Sequence, residues 1–302
     1  MSRVATVPLQ RTLTDAIQRN QQKLAISEIQ IATGKKATDY ASLGTEAVRT
    51  LSARTLIARQ EAQGTVAKRV GVTLSLHDQN LSGIHTAGSE LHKSVLTALG
   101  TGRSAGLQEL IEGAFAQFRS SLNASEGGIP LFAGSRIEAK PFKPETLADT
   151  IGLAPANAFS NDEIRASARV ADGLDVEFGI TASEVGTDIF SAFRTLAEAG
   201  AIGDEPTAAQ MDALSKAAGE LGEGLKKLLK VNAENGRKQA QVERLGNRAE
   251  ERTLLFKDLI SGNEDADLGQ VAIELAQQKT ALEASYSVFS QLSKLSLINF
   301  LR

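Results

Sequence analysis

Cysteine is absent from this 302-residue chain, which excludes disulfides, Fe–S clusters, cysteine-type zinc sites and a thiol nucleophile. Tryptophan is absent too, and aromatic residues make up only 4% of the sequence. The apolar set is mainly Ala, Leu, Ile and Val, which suits close helix packing better than a β-sandwich or a deep ligand pocket. Proline is scarce, with six residues at positions 8, 130, 141, 144, 155 and 206. Ser160–Glu205 and everything after Pro206 are free of it, so long helices are permitted there. No stretch approaches the roughly 18 consecutive apolar residues of a membrane-spanning helix. The first turns carry Arg3, Arg11, Arg19 and Lys23 among their apolar positions, so no cleavable signal peptide is expected.

What remains is helical periodicity. Val4, Val7, Leu9, Leu13, Ile17, Leu24 and Ile31 place most of their side chains on one helical face. Leu268, Val271, Leu275, Leu282, Phe289 and Leu292 do the same, and the apolar run continues through Leu295, Leu297, Ile298, Phe300 and Leu301. At about 1.5 Å per residue this last helix reaches roughly 50 Å. A terminal segment gains little from such a stripe unless something covers it. Between the two ends lie two seams of alternating three- and four-residue spacing. One runs through Leu74, His77, Leu81, Ile84, Gly88, Leu91, Val95 and Ala98. The other runs from Leu214 through Leu221, Leu228, Asn232, Asn235, Gln239 and Val242 to Ile260, and turns polar at its middle.

Turn signals set the divisions. Gly34 sits where a helix cap belongs, Gly100-Thr101-Gly102 ends the first long helix near Leu99, and Gly127-Gly128 stops a shorter one spanning about 105–124. Pro130, Pro141, Pro144 and Pro155 then crowd a segment with short alternating runs, and Asp172-Gly173 reads as a hairpin turn. Ser261-Gly262-Asn263 is expected to break the second long helix, with Asp265 and Asp267 favouring the start of the last one. The predicted fold is mainly α with a small β-rich insertion. Its framework is a long antiparallel helical hairpin, a coiled-coil rod, with the terminal helices paired. The expected divisions are an N-terminal assembly helix (1–40), the first part of the rod (41–128), the β-rich insertion (129–183), the second part of the rod (184–262) and a C-terminal assembly helix (263–302).

Candidate chemistry is sparse. His77, His85 and His92 share a helix, but roughly 10 to 12 Å separates successive ones along the axis, so they cannot meet at one metal ion. His77 falls on the seam and the other two are expected at the surface. Gly100–Gly106 has glycines but follows a helix rather than a strand, so a helix-to-helix turn is expected rather than a phosphate loop. No catalytic, cofactor-binding or metal-binding set emerges, and the chain is not expected to be an enzyme. The formal charge of −3 conceals a segregation: residues 1–70 hold 11 Lys and Arg against 5 Asp and Glu, whereas residues 129–224 hold 7 against 16. The basic residues are spread around the helices without interleaved aromatics, so neither nucleic acid nor membrane is expected as a partner.

Several runs, taken in order, resemble the flagellin superfamily of axial proteins. Gln30-Ile31-Ala32-Thr33-Gly34-Lys35-Lys36 is similar to the family's L-S-T-G-K-R stretch. Leu131-Phe132-Ala133-Gly134-Ser135 with Lys140-Pro141-Phe142 is similar to its L-F-S-G-T and P-F pair. Asp172-Gly173 through Val185-Gly186-Thr187-Asp188-Ile189-Phe190 resembles a second signature ending in G-x-D-V-F. The tail is the most specific: Asp265-Ala266-Asp267-Leu268, Leu275 through Tyr286, and Leu295 through Leu301 resemble D-A-D-x-A, L-x-x-Q-Q-T-A-L-Q-A-S and S-L-x-x-Y/F-L in the same order. Thr38-Asp39-Tyr40-Ala41-Ser42-Leu43-Gly44 departs from the family's S-D-D-P-x-x-A. The missing S-S-G-x-R-I-N run favours the hook–filament junction branch over filament flagellins.

The resemblance implies a structural protein of the bacterial flagellum that joins hook to filament by self-assembly through its terminal helices. It implies export through the flagellar apparatus to the cell exterior, a chaperone at the C-terminal region, and three partners: copies of the chain itself in a ring or helical assembly, an adjoining hook-associated protein and flagellin. The residues expected to carry the assembly interface are Leu13, Ile17, Leu24, Ile31, Leu275, Leu282, Phe289, Leu292 and Leu301. The alternatives are a filament flagellin, a secreted adhesin or ligand-binding protein with the insertion as its binding module, and a general coiled-coil scaffold.

Overall fold

The computed structural model describes the backbone of residues 3–300 and the side chains of Pro8 and residues 11–291. Four long or medium helices come in the order read from the periodicity: α1 (Arg3–Thr33), α2 (Thr45–Thr101), α3 (Leu107–Leu122) and, after the insertion, α5 (Ala182–Glu198). Two more follow, α6 (Ala208–Glu264) and α7 (Leu268–Phe300). The insertion holds β1 (Ser125–Glu126), β2 (Ile129–Pro130), a 3-10 turn (Leu147–Thr150), the single-turn α4 (Pro155–Ala158), β3 (Ser167–Ala171) and β4 (Leu174–Glu177). The chain divides into two units, residues 1–59 with 252–302 and residues 60–251.

Two expectations about breaks are corrected. Ser261-Gly262-Asn263 does not interrupt α6, which continues to Glu264. A lone glycine with helical neighbours is tolerated, so the break falls between Glu264 and Leu268, where the Asp267 Oδ1 accepts the Gly269 and Gln270 amides at 2.9 and 3.1 Å and so caps α7. The insertion's strand content also begins before Ile129, because Ile129 and Pro130 pair back onto Glu126 and Ser125. The strands are two separate two-stranded hairpins, β1–β2 and β3–β4, and the intervening chain is irregular.

In the second unit α2 and α6 run antiparallel: Ala67 lies beside Gly246, Leu74 beside Asn235, Gly88 beside Leu225 and His92 beside Gly222. Every residue of the predicted α2 seam is buried. Of the polar positions of the α6 seam, Asn235 is buried and Asn232 and Gln239 are half-buried. Asn235 Nδ2 donates to the Leu74 carbonyl at 2.9 Å, and its Oδ1 is buried without a hydrogen-bond partner. Such an amide costs stability but favours one helix register over its neighbours.

The scarce aromatics are concentrated. Seven of the chain's eleven phenylalanines join one core: Phe115 and Phe118 from α3, Phe190 and Phe193 from α5, and Phe132, Phe142 and Phe159 from the insertion. Phe115 meets Phe193 edge-on at 5.4 Å between centroids, and Phe118 meets Phe142 at 5.2 Å. The irregular insertion is therefore anchored by its own rings. Asn123, at the end of α3, clamps Phe142 by accepting its N–H and donating to its carbonyl, both at 3.0 Å. Gly134 takes φ 67°, and a Cβ there would lie 2.9 Å from the Asp162 carbonyl oxygen. The Asp162 carboxylate accepts the Ser135 hydroxyl and amide and the Ile164 amide, contacts that hold it below the usual carboxylate range.

The β3–β4 hairpin turns at Asp172-Gly173 as the dipeptide predicts, with Gly173 at φ 68°. It lays Val170 and Val176 on Ala67, Val70 and Leu74 of α2 and Val242 of α6. His77 is fully buried beside Phe132, with Nε2–H donating to the Leu131 carbonyl at 3.0 Å, and burial pushes its pKa below the ordinary histidine value. His85 and His92 are half-buried rather than at the surface: His92 lies beside Gly222 of α6, and His85 lines a small hollow with Leu228 and Asn232 of α6.

Candidate assembly surface

The first unit is built differently from the second. Helices α1 and α7 lie alongside each other with Cα atoms within 8 Å. Gln21 Nε2 donates to Tyr286 Oη at 2.6 Å, and Ser27 Oγ donates to Gln278 Oε1 at 3.2 Å, so the pair is antiparallel. Its shared core is small. Among the described side chains of these two helices only Ile17, Ser27 and Val271 are buried. A groove of about 550 Å³ along the pair is lined chiefly by amides and charges, including Asn20, Lys23, Gln30, Glu274, Gln277 and Gln278.

The predicted interface residues fall accordingly. Ile17 is buried, Leu13, Leu24, Leu275 and Leu282 are half-buried, and Ile31 and Phe289 are exposed. The side chain of Leu292 and the whole of Leu301 lie outside the described residues. Among the described residues, the structure thus brings the two terminal stripes together along one helix pair and leaves most of their side chains half-buried or exposed.

A second set of exposed apolar side chains was not anticipated. Where α2 and α6 enter the first unit, their buried positions are small or polar, namely Ala47, Thr50, Ala53, Thr253 and Glu264. Their large apolar side chains point outward instead: Val48 is 69% exposed, Leu255 66% and Leu254 59%, with Leu51 and Leu259 also exposed. A monomeric helix pair places such residues inside. The signal is present in the sequence as apolar residues one position off the seam, but a seam search passes over them.

The links that carry α1 and α7 are fastened to each other. Gly34, at φ 68°, ends α1 with its N–H on the Gln30 carbonyl at 2.8 Å. Lys36 N–H donates to the Glu264 carbonyl at 2.7 Å and Ala266 N–H to the Gly34 carbonyl at 2.9 Å, which forms a one-residue antiparallel bridge between Lys35 and Asp265. Lys35 Nζ donates to the Asp265 carboxylate and lies 3.6 Å from Glu264 Oε2, while Arg54 Nη2 donates to Glu264 Oε1 at 2.7 Å. Hydrogen bonds from Lys35 and then Ser261 hold the Asp265 carboxyl below its usual range, and the Asp265 bond raises the Lys35 ammonium above its own. Arg54 also lies over the Tyr40 ring at 5.6 Å, within the stretch that departs from the family pattern.

No group of three or more His, Cys, Asp or Glu among the described residues could hold a metal ion, and no described helix is long and apolar enough to cross a membrane. Among the described residues, the first unit is a helical framework that leaves many of its large apolar side chains exposed. The fold of the chain is that of flagellar hook-associated proteins. It matches a Vibrio parahaemolyticus structure described as a flagellar hook-associated protein with a TM-score of 0.60 and 14% identity, covering 72% of this chain and 97% of that one. FlgL of Bacillus cereus matches with a TM-score of 0.58 and 15% identity, over 70% of this chain and 99% of that one. FlgL of Xanthomonas campestris gives 0.57 and 12%, over 68% and 98%. In sequence, the chain is similar to flagellar hook-associated protein 3 of Salmonella typhimurium strain LT2, 25% identical over 293 residues that cover 90% of this chain and 91% of that protein. The resemblance read from the motifs, to the flagellin superfamily and most to flagellar hook-associated protein 3, is borne out. No family model matches the chain.

Proposed function

We propose that this chain is a structural axial protein of the bacterial flagellum and that it joins hook to filament. The observation that carries this reading is the uneven distribution of uncovered apolar surface. Among the described residues, fifteen of the twenty-three exposed large hydrophobic side chains belong to the first unit, although that unit is the smaller one. Patches of this kind mark interaction surfaces, and covering them with neighbouring subunits stabilises the assembly by about 25 cal/mol per Å² buried. The likeness to flagellar hook-associated protein 3 over nine-tenths of the chain supports the flagellar setting.

In this reading the terminal segments 1–40 and 263–302 are the assembly module, and the nine residues from Leu13 to Leu301 named above contribute to it. The partners are further copies of the chain in a ring or helical array, an adjoining hook-associated protein and flagellin. Export through the flagellar apparatus delivers the chain to the cell exterior, with a chaperone at its C-terminal region. The helices α1 and α7 share little core, so they order fully only when neighbours cover them. The test is electron microscopy of cells that lack this protein. Hooks without attached filaments are expected, and filaments of normal number and attachment would overturn the proposal.

A further inference from the structure

We propose that Lys35, Arg54, Glu264 and Asp265 form an ionic latch that holds the two links carrying α1 and α7, and that its opening frees this helix pair to pivot at Gly34 and at Asp265–Asp267. The purpose assigned to the latch rests on the assembly reading above, but its existence does not.

The argument begins with the backbone. A single antiparallel bridge with two hydrogen bonds, Lys36 N–H to Glu264 and Ala266 N–H to Gly34, is too short to persist unaided in water. Side chains hold it shut. Glu264 is only 9% exposed, so its carboxylate requires cationic partners, and it takes one from α2 (Arg54, 2.7 Å) and one from the first link (Lys35, 3.6 Å). Asp265 takes the other side of the Lys35 ammonium and also accepts the Ser261 hydroxyl at 2.5 Å. Lys36 Nζ reaches the Gly262 carbonyl at 2.6 Å, and Gln30 Nε2 donates to the Lys36 carbonyl at 2.9 Å.

The hinge elements flank this cluster. Gly34 and Gly44 both adopt positive φ, at 68° and 58°, on either side of the first link. The second link is the three residues between α6 and α7. Lys35 and Asp265 are about half exposed, so their pairing is weak on the scale of folding and can open without unfolding the helices. Only Glu264 is enclosed, and it makes the closed state specific.

Hydrogen–deuterium exchange on the full chain in dilute solution, where no assembly is needed, tests the latch directly. The reversals Lys35→Asp and Asp265→Lys should each speed exchange of the Lys36 and Ala266 amides by about tenfold, and the double reversal should restore part of the protection, because it re-forms the 35–265 pair but leaves Glu264 with Arg54 alone. Glu264→Gln keeps the shape while removing the enclosed charge, and should speed the same two amides. Exchange across Leu74–Leu91 of α2 should stay unchanged in every variant. Unaltered exchange at Lys36 and Ala266, no rescue by the double reversal, or equal loss of protection in Leu74–Leu91 would each overturn the latch.

Discussion

At the scale of single residues, the buried histidine makes the clearest prediction. His77 lies neutral among Phe132 and the α2 seam, and burial depresses its pKa below the ordinary 6.5. Below pH 6.5 the unfolded chain binds a proton that the folded chain refuses, so stability is full above 6.5 and declines as pH falls toward the depressed folded value. His77→Gln keeps a donor for the Leu131 carbonyl and removes the titration. Thermal melts between about pH 7.5 and 5.5 should show a falling midpoint for the parent and a flatter one for the variant. Parallel pH profiles would show that His77 does not titrate on unfolding. The seam spacing marks His77 as inward-facing, but its carbonyl partner 54 residues away in the insertion is not legible from that spacing.

At the scale of elements, close approach decides what the helix pattern leaves open. Gly224 of α6 meets α5 so closely that a Cβ would sit 2.9 Å from the Ile189 backbone nitrogen and 2.6 Å from its Cγ1. Gly186, inside the run similar to G-x-D-V-F, leaves equally little room beside Phe159 and Leu122. Gly224→Ala improves helix propensity and should nonetheless destabilise the protein by about 1–3 kcal/mol, because a backbone atom cannot step aside. Urea denaturation followed by circular dichroism measures this, and a stabilised variant would mean that α5 and α6 can move apart. The helices themselves were readable from apolar periodicity and Gly caps, with ends within a few residues. The insertion was not, because its order comes from phenylalanines that reach into a helical core rather than from strands with a period of their own.

At the scale of the whole molecule, the two units follow opposite rules of burial, and the prediction concerns that difference. Phe289→Asp changes an exposed position, and Leu255→Asp changes one on the outward face of α6. Each should leave the monomer's helicity and melting unchanged within about 0.5 kcal/mol, as surface substitutions do, while abolishing self-association in sedimentation experiments. Leu282→Asp, at a half-buried position of α7, should do the same and also loosen its pairing with α1. Loss of helicity in α2 or α6 with any of these variants would count against a separate assembly module. By itself the sequence determined the helix order, the seams, the hairpin at Asp172-Gly173, the family resemblance and the existence of two terminal stripes, because periodicity and turn chemistry are local. Tertiary structure alone decided that α6 runs past Gly262, that seven phenylalanines share one core, that Val48, Leu254 and Leu255 face outward, and that Glu264 is enclosed by Arg54 and Lys35. Most of these outcomes depend on which residues meet across distant stretches of chain, and the spacing that marks the seams does not carry that information.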